Sequence, residues 1–172
     1  MRCTGFTMKL FIKSLTIALL LILHTVNCIG AQKADAVLVI KSEKRLYLIN
    51  NGKQFASFHV TFGGQPTGHK QAQGDQRTPE GYYILDYKNA NSRFYKSIHI
   101  SYPNETDRAN ARRLGVEPGG NIMIHGQRND WEWAAPLVQF FSWTDGCIAM
   151  RNEDMDRVWE AVDPGTPIEI RP

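Results

Sequence analysis

The sequence contains few cysteines, three among 172 residues. Cys3 and Cys28 fall within the first thirty positions, so a domain that begins after them keeps Cys147 as its one unmodified thiol. A single thiol excludes a framework of intrachain disulfide bonds. It is either an inert buried side chain or a reactive group, and composition does not separate the two.

Concentrated charge, internal repeats and metal-ligand spacings are also missing. The formal net charge is +3 and the basic residues are spread along the chain, which argues against nucleic acid as a partner. One cysteine and scattered histidines lack the spacing of zinc ligands, so no metal is expected. With 42% apolar and 22% charged residues, the composition is that of an ordinary globular protein with one domain.

The longest apolar run is too short for a permanent membrane span. Residues 15–23 form a run about half as long as the ~20 residues that cross a bilayer. Basic residues precede the run and small or polar residues follow it, an order that predicts a signal peptide over residues 1–31, cleaved near Gly30 or Ala31. In an alternative interpretation Cys28 becomes a lipidated N-terminus, which changes the membrane attachment but not the chemistry.

Short alternating apolar runs predict a mainly β domain over residues 36–172. The strands are predicted at residues 37–40, 45–49, 55–62, 82–86, 97–101 and 168–170. The pair Asn51-Gly52 readily takes positive φ, so a tight hairpin should join the second and third strands. The glycine-rich stretch 63–81 predicts an exposed loop. Residues 121–124 are apolar on both faces, which predicts a central strand that ends at His125.

Two short helices are expected beside these strands. Asn104 can cap a helix that runs to Leu114 and stops at Gly115. Asn152 can cap a second helix, whose apolar side chains from Met155 onward share one face.

A histidine and a group of aromatic residues each allow two interpretations. His99 is expected to be a half-exposed strand histidine, and the alternative is that it lines a substrate groove. Aromatic residues between positions 131 and 143 are expected to pack in the core or against loops, and the alternative is a wall for a sugar or peptide. These aromatic residues are Trp131, Trp133, Phe140, Phe141 and Trp143.

Cys147 has the surroundings that a nucleophile needs. Gly146 precedes it, and a residue without Cβ lets a carbonyl carbon approach the sulfur and frees nearby N–H groups for an oxyanion. A thiol with a pKa near 8.5 is mostly protonated at neutral pH, so it also needs a base nearby. His125 is the candidate, because it ends an apolar segment expected to lie in the same sheet.

These residues lie in two motifs that resemble the active-site signature of the L,D-transpeptidase (YkuD-type) family. The first is Ile-Met-Ile-His-Gly at residues 122–126, and the second is Thr-Asp-Gly-Cys-Ile-Ala-Met at residues 144–150. The family pattern is His-Gly followed, after a spacer, by Ser/Thr-His-Gly-Cys and a hydrophobic residue. The stretch 74–83 is also similar to the loop that precedes the active-site strands of the family.

The resemblance implies a β-sandwich with a few short helices, no cofactor, and a location in the periplasm or cell envelope. It further implies that Cys147 attacks the bond before the terminal D-alanine of a peptidoglycan tetrapeptide stem, with His125 as base. The thioester would pass to an amine on another stem, a wall-linked lipoprotein, a D-amino acid or water. Oxyanion or substrate-binding roles are implied for Gly126, Thr144, Asp145, Gly146 and Arg151.

Two positions depart from the family pattern. Asp145 replaces a common histidine, and its negative charge should oppose thiolate formation unless a cation such as Arg151 compensates. Arg151 could instead bind a stem carboxylate. Ala149 stands where arginine or asparagine is common. These departures leave open hydrolysis or lipoprotein release by the same cysteine. The residues are also compatible with a cysteine peptidase that cleaves ordinary peptides and with a non-catalytic wall-binding module.

Overall fold

The structure is a computed structural model that describes residues 32–130 and 141–172. The predicted signal peptide therefore lies outside the described residues, as do Trp131, Trp133 and Phe140. The start of the domain at residue 36 and its end at residue 172 stay predictions.

The described residues form eight strands and two helices, which confirms the prediction of a mainly β fold. The strands are β1 Ala36–Ile40, β2 Arg45–Asn50, β3 Lys53–His59, β4 Gly81–Ser92, β5 Tyr95–Ile100, β6 Met123–His125, β7 Ile148–Ala149 and β8 Thr166–Arg171. The helices are α1 Glu105–Leu114 and α2 Asn152–Ala161.

All eight strands belong to one curled sheet in the order β3-β2-β1-β8-β4-β5-β6-β7. Neighbouring strands are antiparallel except for the pairs β1–β8 and β6–β7, which are parallel. The chain that follows β3 returns to the opposite end of the sheet, where Thr61 bridges Ala149 and Gly63 bridges Thr144. The two ends of the sheet therefore meet beside β7.

The core lies against one face of this sheet. Alternation along β1 and β8 buries Val37, Val39, Ile168 and Ile170, as the apolar patterns predicted. Helix α2 packs its apolar side against β5 and contributes Met155 and other buried residues to the same core. Burying one such side chain contributes about 1.5–3 kcal/mol, so the core holds the short strands β6 and β7 in place.

The hairpin between β2 and β3 forms where the sequence predicted it, with φ of 50° at Asn51 and 71° at Gly52. The strand predicted at residues 55–62 ends three residues earlier than expected. Strand β3 stops at His59, because the next residues leave β2 and pair near β7 instead.

The stretch 63–81 is a loop, as predicted, but part of it is buried. The Nζ atom of Lys41 reaches from the end of β1 and donates hydrogen bonds to the Gly68 carbonyl at 2.8 Å and to Glu80 Oε1 at 2.7 Å. Thr78 is fully buried. These contacts hold the loop against the sheet, so its position is set by the fold.

Helix α1 confirms its predicted cap and end. The Asn104 side chain accepts a hydrogen bond from the Asp107 N–H, and Gly115 closes the helix with φ of 70°.

The prediction for α2 is wrong at its cap, because Arg151 is the N-cap residue and makes no side-chain cap hydrogen bond. Asn152 is instead the first helical residue, and its Oδ1 accepts the Gln127 N–H at 2.9 Å. Among the described residues, neither helix is long and apolar enough to cross a bilayer.

Candidate active site

Cys147 lies directly before β7 and beside β6. The two strands run parallel, with Ile124 opposite Ile148 and His125 opposite Ala149. One position earlier in this register, Met123 lies next to Cys147, and its N–H donates a hydrogen bond to the thiol sulfur at 3.4 Å. The sheet therefore fixes the thiol relative to β6.

His125 lies two positions after Met123 on β6, so both side chains leave the same face of the strand. The imidazole therefore projects on the same side of the sheet as the thiol of Cys147. Its ring is buried, with 3% of the residue exposed, and packs against Phe94 at a centroid distance of 4.5 Å and against Trp143 at 5.6 Å. The register thus places the two residues that the sequence proposed as nucleophile and base on the same face of neighbouring strands.

A backbone hydrogen bond orients the ring of His125. Its Nδ1 lies 2.6 Å from the carbonyl oxygen of Gly126, and because a carbonyl can only accept, Nδ1 carries the proton. In the neutral ring, Nε2 is then the nitrogen with the free electron pair. The sequence could not reveal this partner, since any residue type supplies a backbone carbonyl.

The surroundings favour the neutral forms of both groups. Burial lowers the pKa of His125 to about 4, although its bond to Gly126 acts in the opposite direction. Burial also raises the pKa of Cys147, while the hydrogen bond from Met123 lowers it. Both shifts favour a neutral thiol and a neutral imidazole over an ion pair at neutral pH.

The charges of two other side chains act on the pKa of this thiol. The carboxylate of Asp145 raises the pKa of Cys147, as the sequence predicted, and the ammonium group of Lys70 lowers it. Arg151 lies exposed at the start of α2, so the compensating cation that acts on the thiol is Lys70. Binding of a stem carboxylate by Arg151 stays a prediction.

Two threonine hydroxyl groups brace the turn before the cysteine. The Thr144 hydroxyl donates to the Cys147 carbonyl at 2.8 Å and accepts the Gly146 N–H at 3.2 Å. The buried Thr78 hydroxyl donates to the Gly146 carbonyl at 2.9 Å. Thr144 and Thr78 therefore hold the backbone around Cys147 in position. Thr78 does so from the loop 63–81, and the sequence alone did not indicate that it has this role.

Each of the two motifs contains a glycine, Gly126 or Gly146, that no larger residue can replace without a collision. Gly146 has φ of 121°, and a Cβ atom there would lie 2.4 Å from the Arg77 carbonyl oxygen. A Cβ atom on Gly126 would lie 2.6 Å from Asn152 Oδ1. The Gly126 N–H donates to the Lys96 carbonyl at 3.1 Å, so this residue acts on the site through its own carbonyl group.

An open groove of about 770 Å³ lies next to the residues that precede β6 and to Asp145, and Cys147 itself is not among its lining residues. Asn121 lines it, and the Asn121 carbonyl is 3.7 Å from the Cys147 sulfur. Lys70 and Asp145 also line the groove, and the Lys70 ammonium group is paired there with Asp75 Oδ1 at 2.8 Å. His99 is a partly exposed strand residue, as expected, and it also lines the groove, which supports the alternative interpretation as well. Such a groove has room for a peptide segment.

Two of the aromatic residues named above, Phe141 and Trp143, lie within the described part of the chain. Trp143 packs on the imidazole of His125, as expected for a residue that packs in the core or against a loop. Phe141 is 67% exposed and is an exception to what is expected of most of these aromatic residues. The Phe141 carbonyl nevertheless accepts a hydrogen bond from the Thr61 hydroxyl at 2.7 Å, so the backbone of Phe141 is held although its ring is exposed.

The low pKa of His125 predicts a specific loss of stability in acid. The unfolded chain binds a proton at His125 near pH 6.5 and the folded chain only near pH 4, so the free energy of unfolding should fall by about 3 kcal/mol as the pH drops through this window. Urea denaturation at pH 7 and pH 4.5 measures this loss. His125→Asn should lack most of it, and an equal loss in both proteins would contradict the prediction.

The fold and the paired motifs correspond to one class of enzymes. The model of the YkuD family, the L,D-transpeptidase catalytic domain, matches residues 34–170, and the chain belongs to this family.

Individual relatives agree with the family. YafK of Escherichia coli, a protein assigned to the L,D-transpeptidases, is 33% identical over 130 residues, which cover 72% of this chain and 45% of YafK. The crystal structure of the helical cell shape determining protein Pgp2 from Campylobacter jejuni is 28% identical with a TM-score of 0.60, and the match covers 78% of this chain and 46% of that one. An L,D-transpeptidase of Mycobacterium tuberculosis, 16% identical, shares the fold with a TM-score of 0.51 over 80% of this chain and 57% of its own. The chain spans about half the length of the relatives that it matches.

Proposed function

We propose that this protein is a cysteine L,D-transpeptidase that acts on peptidoglycan tetrapeptide stems in the periplasm or cell envelope. The observation that carries the proposal is the parallel pairing of β6 and β7, which presents the thiol of Cys147 and the imidazole of His125 on one face of the sheet. Membership of the L,D-transpeptidase family supports the substrate class.

In the first half of the reaction, the Cys147 sulfur attacks the carbonyl that precedes the terminal D-alanine. The thiol proton passes to Nε2 of His125 and from there to the departing amine of D-alanine, which leaves a thioester on the sulfur. Because both groups are neutral at rest, proton transfer accompanies the attack. The tautomer of His125 fits this transfer, because the proton on Nδ1 is bound to the Gly126 carbonyl and Nε2 is left to accept the thiol proton.

The developing oxyanion needs N–H donors beside the sulfur. We assign this role first to the Cys147 N–H. The Gly146 N–H is bound to the Thr144 hydroxyl and the Gly126 N–H to the Lys96 carbonyl. Thr144, Gly126 and Gly146 therefore support the oxyanion site through the geometry of the turn. Asp145 and Lys70 contribute charge beside the groove.

In the second half, an amine or water attacks the thioester and regenerates the thiol. An amine on a second stem yields a cross-link, a wall-linked lipoprotein yields attachment, and water yields a shortened stem. The name of Pgp2, a helical cell shape determining protein, supports a role of this chain in remodelling the cell wall. The products formed by the protein distinguish these outcomes.

Mass spectrometry of the intact protein tests the proposal directly. Purified tetrapeptide muropeptide is added to the wild type, and a stem adduct without D-alanine is expected on Cys147. Cys147→Ser is the matched control and should neither release D-alanine nor carry the adduct. Analysis of the products then shows a dimer, an exchanged terminal residue or a shortened stem. If Cys147→Ser releases D-alanine as fast as the wild type, the cysteine mechanism is wrong.

A further inference from the structure

A bulge in the sheet places a second histidine beside an acidic residue. In the pairing of β4 with β5, Leu85 lies opposite Ile100 and Lys88 lies opposite Ile98. Two residues of β4, Asp86 and Tyr87, therefore share the space opposite His99 on β5. Such bulges often redirect a side chain next to a functional site.

Both bulged residues hold the imidazole of His99. Its Nδ1 lies 2.7 Å from Asp86 Oδ1, and its ring stacks on Tyr87 with centroids 4.6 Å apart and planes 14° from parallel. Since a carboxylate only accepts hydrogen bonds, Nδ1 carries the proton and Nε2 is left for the groove. The side chain of His99 is 15% exposed, so its orientation is well defined.

The register of the sheet places His99 in line with the nucleophile. His99 lies opposite Met123, and Met123 lies next to Cys147. Residues opposite each other in a sheet project from the same face, so all three side chains leave one face. Two strand spacings separate the backbones of His99 and Cys147 by about 10 Å, and the Met123 side chain lies between them, so an acceptor held by His99 would reach the thioester across Met123.

A third histidine, His69, shows what a purely structural arrangement looks like in this fold. Nδ1 of His69 accepts the Glu80 N–H at 3.0 Å, and its Nε2 lies 3.1 Å from Asp107 Oδ1. Both ring nitrogens of His69 are thus used within the fold. His99 uses one nitrogen for a carboxylate and directs the ring toward the groove, the arrangement expected of a general base.

We propose that His99, positioned by Asp86, is a second acid–base residue that activates the acceptor in the second half of the reaction. The inference rests on the proposed function, since it requires a thioester on Cys147. An amine acceptor releases one proton to the solvent before it can attack, and it must give up a second proton as it bonds to the carbonyl carbon, which is the proton that a base in the groove would take. His125 is buried and does not line the groove, whereas His99 does.

The second half of the reaction needs only the thioester and the acceptor. Nε2 of His99 takes a proton from the acceptor as its nitrogen or oxygen bonds to the thioester carbonyl carbon. The bond between carbon and the Cys147 sulfur then breaks, and the thiolate leaves. Asp86 stabilises the imidazolium until its proton passes to the thiolate, which restores the thiol and the neutral imidazole.

The step predicts that His99→Asn blocks the second half of the reaction alone. Asparagine keeps a donor near the position of Nδ1, so the contact with Asp86 is retained while Nε2 is lost. Adduct formation on Cys147 should keep the wild-type rate, and turnover should fall about 10²-fold or more, so that the thioester accumulates. Rapid-quench mass spectrometry measures both rates.

Control variants separate this role from a structural one. Asp86→Asn should also accumulate the adduct, and the double variant should be no slower than His99→Asn, because the two residues act as a unit. His59→Asn, at an exposed histidine outside the groove, should behave as wild type. Equal slowing of both half-reactions, or of neither, in folded His99→Asn or Asp86→Asn would overturn the inference. If the wild type never forms the adduct, the proposed function fails instead.

Discussion

Replacing His125 with asparagine is expected to slow formation of the Cys147 adduct by about 10²–10⁴-fold, the usual contribution of a general base. Asparagine keeps a donor for the Gly126 carbonyl, so the turn should survive, but it lacks the nitrogen that receives the thiol proton. The loss should therefore fall on the rate constant of acylation. Rapid-quench mass spectrometry with tetrapeptide muropeptide measures it.

The pH dependence gives an independent check of this role. Because burial holds the pKa of His125 near 4, the wild type should keep its base in the active, neutral form down to about that pH. The acylation rate of the wild type should then decline through pH 4, and His125→Asn should lack this limb. An undiminished acylation rate in the folded variant would exclude His125 as the base.

Replacing Gly146 with alanine is expected to remove activity and also to destabilise the fold. A Cβ atom would meet the Arg77 carbonyl oxygen at 2.4 Å, and φ of 121° is strained for any residue with a side chain. Strain costs about 1–3 kcal/mol and overpacking costs a similar amount. The turn must move, and a displacement of 1 Å at Cys147 can cost about 10²-fold in rate.

Gly165 provides a matched control for this substitution. It also has positive φ, 97°, but a Cβ atom there would meet nothing within 4 Å. Gly165→Ala should therefore show the cost of backbone strain without the collision, and it should keep the acylation rate of the wild type. Urea denaturation and rapid-quench assays of both variants give the comparison. If the two variants lose the same stability and activity, contact with Arg77 is not the reason for glycine at position 146.

Elements that are determined by neighbouring residues were predictable from the sequence. Helix α1 begins after Asn104 and ends before Gly115 because both capping interactions are local. The hairpin at Asn51 and Gly52 follows from the backbone preferences of two residues. Cys147 could be proposed as nucleophile from the glycine that precedes it and from the family motif.

Features that depend on distant contacts could not be predicted in the same way. The end of β3 at His59 depends on where β7 lies, and the first residue of α2 uses its side chain for Gln127 rather than as a cap. Lys70 reaches the groove from a loop whose course no local pattern defines. The orientation of His125 depends on a backbone carbonyl, which leaves no signature in residue types.

The bridges beside β7 bear on the order of events during folding. The Thr61 hydroxyl binds the Phe141 carbonyl across 80 positions of the chain, and Thr61 also pairs with Ala149. Contacts so distant in sequence form slowly, because a large loop must close before they stabilise the chain. We therefore expect the turn that carries Cys147 to be among the last parts of the molecule to become ordered. The thiol of Cys147 would then lack the contacts that position it until the two ends of the sheet have met.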